Sequence, residues 1–473
     1  MPLAIAAFFL GLADGIVFAD MHIKYTFSLL EPALCFASLS FFRETTMLKV
    51  LMLLWFCAAG AAHAAEAGTW IVALDRWGNY SYQTLSLRED GARLEGDIDG
   101  DKLSGSRQGA SIEFSALDQD GARYLYRARL EGDSMRGSAD FPDTNNPKAR
   151  AQHAFTARRL PQRPPGAPHR HDFTPSDYAN VFSADRAPVL TIWPGDSVHT
   201  TTIDSGGVDE KGVTRALFGN PQTGPFHVVG AARGDTLVVH LRRLRLNRDY
   251  ADSLDTIVGR ALTGGMAAKA TDLGKPVRWA LDRARGLASP ENPDPAMRKF
   301  SVPVRPMLGG LAVAPGDGPP VSTGDTGRFG GNMDFNEVVE GNTVYLPVQQ
   351  PGALLYLGDA HALQGDGETS QYALETSMDV EFTVELIKNK AIGMPRVESP
   401  TEIMTLGQAG SLDDALRAAT SGMVQWLQQD YGLSLSECAQ VLGSAVKYSV
   451  ANLAGRSVGV AAKLDKSLLK RRP

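Results

Sequence analysis

Two different hydrophobic patterns divide the chain. From Gly68 to about Leu160, short alternating runs such as Trp70-Ile71-Val72-Ala73-Leu74, Leu85-Ser86-Leu87, Ile112-Glu113-Phe114 and Tyr124-Leu125-Tyr126 are separated by Asp90-Gly91, Asp99-Gly100 and Asp120-Gly121. Period-two alternation sends successive side chains to opposite faces of a strand, and Gly takes the positive φ of a tight hairpin turn without a steric penalty. A Leu-x-Gly phrase recurs at Leu94-Glu95-Gly96, Leu103-Ser104-Gly105 and Leu130-Glu131-Gly132. The pattern predicts an antiparallel meander or small up-and-down barrel. Pro161, Pro164, Pro165 and Pro168 then favour an extended linker over 161–171.

Beyond the linker the apolar runs are denser: Val189-Leu190-Thr191-Ile192-Trp193, Thr236-Leu237-Val238-Val239-His240-Leu241, Val344-Tyr345-Leu346-Pro347-Val348 and Ala353-Leu354-Leu355-Tyr356-Leu357. Each is closed by Gly, Pro or Asp, which favours a sandwich or jelly roll over a parallel α/β fold. Three stretches read as helix. Residues 250–288 form a loose helical insertion. Ser411 starts a helix with Asp413 and Asp414 in its first turn and Leu412, Leu416, Ala419, Met423 and Leu427 on one face. Ser434-Leu435-Ser436-Glu437 is a capping box for a last helix carrying Val441, Leu442 and Ala445.

Composition adds little except at the N-terminus. The 473 residues are 43% hydrophobic and 21% charged, with a net charge of −6, enough for a sizeable core and without the basic run that nucleic acid requires. Within residues 1–64, Met47-Leu48-Lys49, the apolar run Val50 to Ala62, and Ala62-His63-Ala64 have the order of a secretory signal peptide over 47–64. That predicts a periplasmic or secreted protein starting near Ala65, with no stable membrane span after processing. Cys35 and Cys57 fall in this leader. Cys438 is then the single cysteine of the mature chain, so no intramolecular disulfide forms, and its apolar helical setting suggests a buried thiol.

The chemistry-bearing residues concentrate in Gly358-Asp359-Ala360-His361-Ala362-Leu363-Gln364-Gly365-Asp366-Gly367-Glu368, directly after an apolar strand. Small residues between polar ones let several side chains turn toward one point, and imidazole with carboxylates suits zinc or another divalent ion. The alternative is a calcium-like or merely solvated acidic turn. Two other phrases end strands with carboxylates and glycines, Gly330-Gly331-Asn332-Met333-Asp334 and Asp204-Ser205-Gly206-Gly207. His169 and His171 form an H-x-H pair on the linker, where solvated histidines are the commoner outcome.

In order and wording these phrases resemble the acetamidase/formamidase family. That family has a Gly-Gly-Asn-x-Asp phrase, a strand ending in Leu-Pro-Val, and a Gly-Asp-x-His-x-x-Gln-Gly-Asp-Gly-Glu loop; the chain has Gly330 to Asp334, Leu346-Pro347-Val348 and the whole of Gly358 to Glu368, with Glu375 in the next strand. Gly219-Asn220-Pro221-Gln222-Thr223-Gly224-Pro225-Phe226 and Gly234-Asp235-Thr236-Leu237 fit as well. The resemblance covers about residues 172–460. It implies a mainly β fold: a β-sandwich or jelly-roll-like catalytic domain over 172–473, with the helical insertion and two C-terminal helices. The small antiparallel β-barrel-like domain over 65–160, lipocalin-like in pattern only, would precede it. The implied activity is hydrolysis of a small linear amide, of the formamide or acetamide kind, to carboxylate and ammonia.

Amide hydrolysis needs a nucleophile, an oxyanion stabiliser and a proton donor for the leaving nitrogen. Cys438 is the one candidate thiol, and no Gly-x-Ser-x-Gly elbow is present. A divalent metal, zinc foremost and calcium as the alternative, is therefore expected. Its expected ligands are Asp204, Asp334, Asp359 and His361, with Glu368 and Asp366 as catalytic carboxylates and Gly331, Asn332 and Gln364 lining the substrate. The expected partner is a small amide, without nucleic acid, and homo-oligomerisation is compatible with the sequence. The rival reading is a secreted ligand-binding protein whose acidic loop holds a structural ion.

Overall fold

The computed structural model describes residues 67–146 and 148–469. The leader, its signal sequence at 47–64 and the expected new N-terminus at Ala65 lie outside the described residues.

The alternating N-terminal segment closes into a barrel of eight antiparallel strands: β1 (Ala67–Arg76), β2 (Asn79–Asp90), β3 (Arg93–Ile98), β4 (Asp101–Gln108), β5 (Ser111–Leu117), β6 (Arg123–Glu131), β7 (Ser134–Pro142) and β8 (Arg150–Arg159). Each pairs with the next, and β8 returns to β1, leaving no open edge. The apolar half of the alternation fills the interior: Trp70, Val72, Leu74, Leu85, Phe114, Tyr126 and Phe155 are buried. Phe114 and Tyr126 stack at 4.7 Å between ring centroids. The Leu-x-Gly phrase has a steric reason at Gly96 and Gly105, whereas Gly132 takes the positive φ (60°) of a turn. Leu94 and Leu103 point inward, while a Cβ on Gly96 would lie 1.8 Å from the Ser86 carbonyl oxygen, and one on Gly105 would lie 2.2 Å from that of Glu113. A tightly coiled barrel brings neighbouring backbones this close only where no side chain intervenes.

After the linker come two large sheets, one of eleven strands and one of nine. They share a core in which Phe226, Leu308, Leu311, Tyr356 and Leu357 of the first meet Val198, Leu237, Val239, Val344 and Phe382 of the second. In the first sheet, strand Leu355–His361 is buried at every residue and pairs with Met307–Ala312 and Gln222–Val228. A strand covered on both faces reads as a continuous apolar run, as this one does until its end.

The insertion at 250–288 differs from expectation, being mostly strand. Tyr250–Leu254, Pro276–Asp282 and Leu287–Pro290 form an antiparallel extension of the first sheet, and helix is confined to single turns such as Gly264–Ala267. Val277, Trp279 and Leu281 alternate with the exposed Pro276, Arg278, Ala280 and Asp282, and the Trp279 indole donates to Ser253 Oγ (2.9 Å).

The C-terminal helices form as read, α1 (Leu412–Trp426) capped by Ser411 and α2 (Leu435–Ala445) by the Ser434/Glu437 box. The buried face of α1 is rotated from the expected one. Ala415, Ala419, Gly422, Met423 and Trp426 pack inward, while Leu412 and Leu416 are exposed. Close approach explains this, because a Cβ on Gly407 would lie 1.8 Å from the Ala415 carbonyl oxygen, so small residues must face the sheet. Cys438 is buried. Among the described residues no helix is long and apolar enough to cross a membrane.

Candidate active site

The buried strand Leu355–His361 ends in two polar residues. Asp359 and His361 are two positions apart, and His361 stands directly opposite Glu375 of the neighbouring strand Glu375–Thr376. Asp334 arrives after strand Gly330–Asn332, and Glu368 from the loop beyond His361. His361 Nε2 lies 3.5 Å from Asp359 Oδ1 and 3.2 Å from Glu375 Oε1. Two overlapping triads, Asp334/Asp359/His361 and His361/Glu368/Glu375, each bring their ligand atoms within 4.8 Å of one another. All five residues are buried. Asp334, Asp359 and Glu368 also have left-handed backbone, with φ of 41°, 53° and 45°, a conformation that costs a non-glycine residue roughly 1 kcal/mol or more.

A shell of side-chain amides fixes the orientation of these groups. Gln364 Nε2 donates to the carbonyls of Asp334 (2.5 Å) and Ala451 (3.2 Å), which leaves its Oε1 to accept from His361 Nδ1 (2.9 Å). Since a carbonyl only accepts, Nδ1 carries the hydrogen and Nε2 faces the carboxylates. Asn332 and Asn452 both donate to Asp334 Oδ2 (2.5 Å each). Asn220 Nδ2 donates to Asn332 Oδ1 (2.6 Å) and to Asp359 Oδ2 (3.2 Å). The backbone N–H of Ala373 donates to Glu368 Oε1 (3.1 Å) and Glu375 Oε1 (3.2 Å).

With these bonds made, Asp334 Oδ1, Asp359 Oδ1, His361 Nε2 and Glu375 Oε2 are buried with no hydrogen-bond partner. Buried polar atoms are normally satisfied, so four orphans in one place call for an explanation. Gly309 lies against the Asp334/Asp359/His361 side of the cluster, where a Cβ would stand 2.6 Å from both Asp334 Oδ1 and Asp359 Oδ2 and 3.0 Å from the His361 ring. The donor set of one imidazole nitrogen and carboxylate oxygens could hold a divalent cation.

Electrostatics point the same way. Burial, followed by the charges of Glu368 and Asp359, raises Asp334 well above the carboxylate range. Burial also raises Glu375, and it pushes Glu368 up to about 8 against the counter-pull of His361. For His361 burial acts downward, but Glu375 and Asp359 overcome it and hold the imidazole well above its ordinary value. A divalent cation would displace that proton and offset the crowded carboxylates.

Asp334, Asp359, His361 and Glu368 therefore meet, but two other expected residues stand apart. Asp204 forms a buried ion pair with Arg248 (2.7 Å) and accepts from the Val208 N–H (2.8 Å), so its carboxylate is outside both triads, and Arg248 in turn donates to the Glu375 carbonyl (3.2 Å). Asp366 is exposed and bonded to Asn336 Nδ2 (2.7 Å), because the Gly365-Asp366-Gly367 turn carries it outward. Of the expected substrate-lining residues, Asn332 and Gln364 turn their amides onto the cluster. Gly331 is a close-approach position, where a Cβ would lie 2.5 Å from the Asp325 carbonyl oxygen. His171 pairs with Asp196 (3.1 Å), remote in sequence from these groups.

The sequence names Glu375 and Asn220 without assigning either a role, and it does not point to Gly309, Asn452 or Arg248. Glu375 stands among Ala373, Leu374, Thr376, Ser377 and Met378, a mixed stretch that gives it little signal. Asn452 carried none, since it comes from the distant strand Lys447–Asn452.

A profile described as the Acetamidase/Formamidase family matches residues 320–424, which contain all five cluster residues. The chain has the fold of two solved acetamidases. One, from Yersinia enterocolitica, is 29% identical with a TM-score of 0.56, the match covering 64% of this chain and 93% of that one. The chain is similar to acetamidases and formamidases in this stretch of sequence and in its fold. The other solved structure, a predicted acetamidase/formamidase from the thermophile Thermoanaerobacter tengcongensis, is 26% identical with a TM-score of 0.54 over 63% of this chain and 97% of that one. A formamidase of Methylophilus methylotrophus is 31% identical over 137 residues, which is 24% of this chain and 33% of the relative's length. The chain thus spans about a third of the length of this formamidase.

Proposed function

We propose that this chain hydrolyses the C–N bond of linear amides, RCONH2 + H2O → RCOO⁻ + NH4⁺, at the Asp334/Asp359/His361/Glu368/Glu375 cluster. In this reading Asp334, Asp359, His361 and Glu375 hold a divalent cation, zinc before calcium because of the imidazole donor. When bound, the ion supplies Lewis acidity toward water and toward an amide carbonyl. The observation that carries the proposal is the gathering of Asp334, Asp359, His361 and Glu375 in the two overlapping triads, each with one buried donor atom left unpartnered.

Glu368 is the proton carrier. At about 8 its affinity lies near neutral pH, where a carboxyl group both accepts a proton and returns it efficiently. It takes the proton lost by the attacking water and delivers it to the nitrogen as the C–N bond breaks, so that ammonia leaves rather than an amide anion. The amide shell keeps the carboxylates in place while their charge changes. We further propose export to the periplasm or beyond, on the strength of the sequence at 47–64.

The test is ammonia release from formamide, acetamide and longer amides by the purified chain, with and without a chelator, alongside metal analysis. Turnover that the chelator abolishes and zinc restores is the expected result. Bound metal without turnover of any amide would favour the ligand-binding reading instead.

A further inference from the structure

A second pair of buried charges, which the proposed reaction does not use, touches the strand that carries Glu375. Arg248 and Asp204 are 3% and 5% exposed and pair at 2.7 Å. The nitrogen that makes this pair, Arg248 Nη2, also donates to the Glu375 carbonyl (3.2 Å). Arg248 Nε donates to the Tyr250 carbonyl (3.1 Å), which accepts from Thr376 Oγ1 as well (3.1 Å). Glu375 is thus held at its main chain while its carboxylate faces His361 (3.2 Å). The other partner leads to Asp359. Asp204 Oδ1 accepts from the Val208 N–H (2.8 Å) and closes the turn at 204–208. The carbonyl of the next residue, Ser205, accepts from the N–H groups of Gly219 and Asn220 (3.1 Å each), and the Asn220 amide holds Asp359 Oδ2 (3.2 Å). A continuous path, Glu375–Arg248–Asp204–Ser205–Asn220–Asp359, therefore joins two of the proposed metal ligands through segments far apart in sequence.

We infer that Arg248 and Asp204 are positioning residues, which hold Glu375 and Asp359 at the separation that one cation needs. The inference rests on the proposed metal-assisted hydrolysis and deepens it, since Asp204 then serves the site without being a ligand. Stability is a poor reason for the pair. The desolvation penalty of a buried ion pair can exceed its Coulombic gain, and apolar replacements that remove both charges are often neutral. What a guanidinium supplies is geometry, because its planar fork sends donors in fixed directions.

The test measures zinc affinity of the full chain by competition with a chromogenic chelator, folding by urea titration, and ammonia release from formamide and acetamide. Arg248→Met combined with Asp204→Asn removes both charges at once, and Asn still accepts from the Val208 N–H, so the double variant should fold with a urea midpoint close to that of the unsubstituted chain. Its zinc affinity should nevertheless fall by about 10–100-fold. At saturating zinc, kcat should fall by about ten-fold while KM moves less than about two-fold, because neither residue is placed to touch the amide. A folded double variant with unchanged zinc affinity and kcat would overturn the inference. Should the double variant not fold, Arg248→Lys decides. Lys keeps the charge opposite Asp204 but replaces the fork with a single amine, so zinc affinity should fall several-fold, and an unchanged affinity would overturn the inference. Zinc binding without turnover by the unsubstituted chain would remove the hydrolase reading and leave the affinity test in force; a chain that binds no divalent ion would overturn the inference along with the metal reading.

Discussion

The barrel and the two-sheet domain are made of the same kind of strand and treat their interiors in opposite ways. In the barrel, alternation is obeyed: apolar residues point in, charged ones point out, and buried His153 packs edge-on against exposed Trp77 at 4.7 Å. In the two-sheet domain, the most deeply buried strand ends with Asp359 and His361, facing three further buried carboxylates. Withdrawing an ionised group from water costs several kcal/mol even after the protein relaxes. Left-handed backbone at Asp334, Asp359 and Glu368 adds to that cost. The barrel interior is what folding alone produces. The cluster is stable only because an amide shell surrounds it and, as proposed, because a cation completes it.

The sharpest way to break this contrast is to fill or empty the cluster. Gly309→Ala would place a methyl group in the space shared by Asp334 and Asp359, and His361→Ala would remove the nitrogen donor. Either substitution should lower metal content to background and kcat/KM on the best amide by roughly 10³-fold or more. Metal analysis and ammonia release check both. If His361→Ala kept its metal and full turnover, the cluster would not be the active site.

Glu368→Gln should separate chemistry from metal binding. Gln keeps the shape and still accepts from the Ala373 N–H, but its amide neither takes up nor releases a proton near neutral pH. Metal should remain bound while kcat falls by about 10²-fold. Loss of metal would make Glu368 a ligand and move the base to Glu375.

Asn452→Ala tests the shell. Removing one of the two amides on Asp334 Oδ2 should weaken metal affinity by about 10–100-fold, the usual effect of losing an outer-shell partner, measured by competition with a chromogenic chelator. An unchanged affinity would mean that Asn332 alone suffices.

How much of this was legible follows from where each residue sits in the sequence. Asp359, His361, Gln364 and Glu368 share one loop, so the sequence displays them together. The barrel was legible because period-two alternation and Asp-Gly turns are local signals. The strand-rich insertion at 250–288 was not, since its alternation is broken by the polar turn at 283–286 and by loops that resemble helix termini. Asp204 misled for a more general reason. An aspartate before two glycines looks the same whether its partner is a metal or an arginine, and Arg248 is 44 positions away (248 − 204). Local phrases give ligand types; which ones converge is decided by strand pairing such as His361 opposite Glu375.

The smallest expected effect concerns the junction between the two regions. A chain starting near Asp172 lacks the barrel, which contributes no residue to either triad, so kcat/KM should change less than about three-fold. Stability should respond more. The Tyr82 hydroxyl donates to Asp185 (2.8 Å) across the junction, and His227 lines the same cleft with Ile71, Met135 and Arg158 of the barrel. Burial, and secondarily Arg158, lowers the His227 imidazole to about 4. Above its unfolded value near 6.5 the group is neutral in both states and pH has no leverage through it. As pH falls from about 6.5 toward 4, the unfolded chain takes up a proton that the folded chain refuses, so stability is lost across that window, by up to roughly 3 kcal/mol. Removing the barrel takes away Arg158 and one wall of the cleft, which should raise the His227 value and shrink this loss. Urea titrations of both chains at pH 7 and pH 5 would measure it. An equal or larger loss in the shortened chain would show that the barrel does not govern His227, and that its burial is set by the two-sheet domain alone.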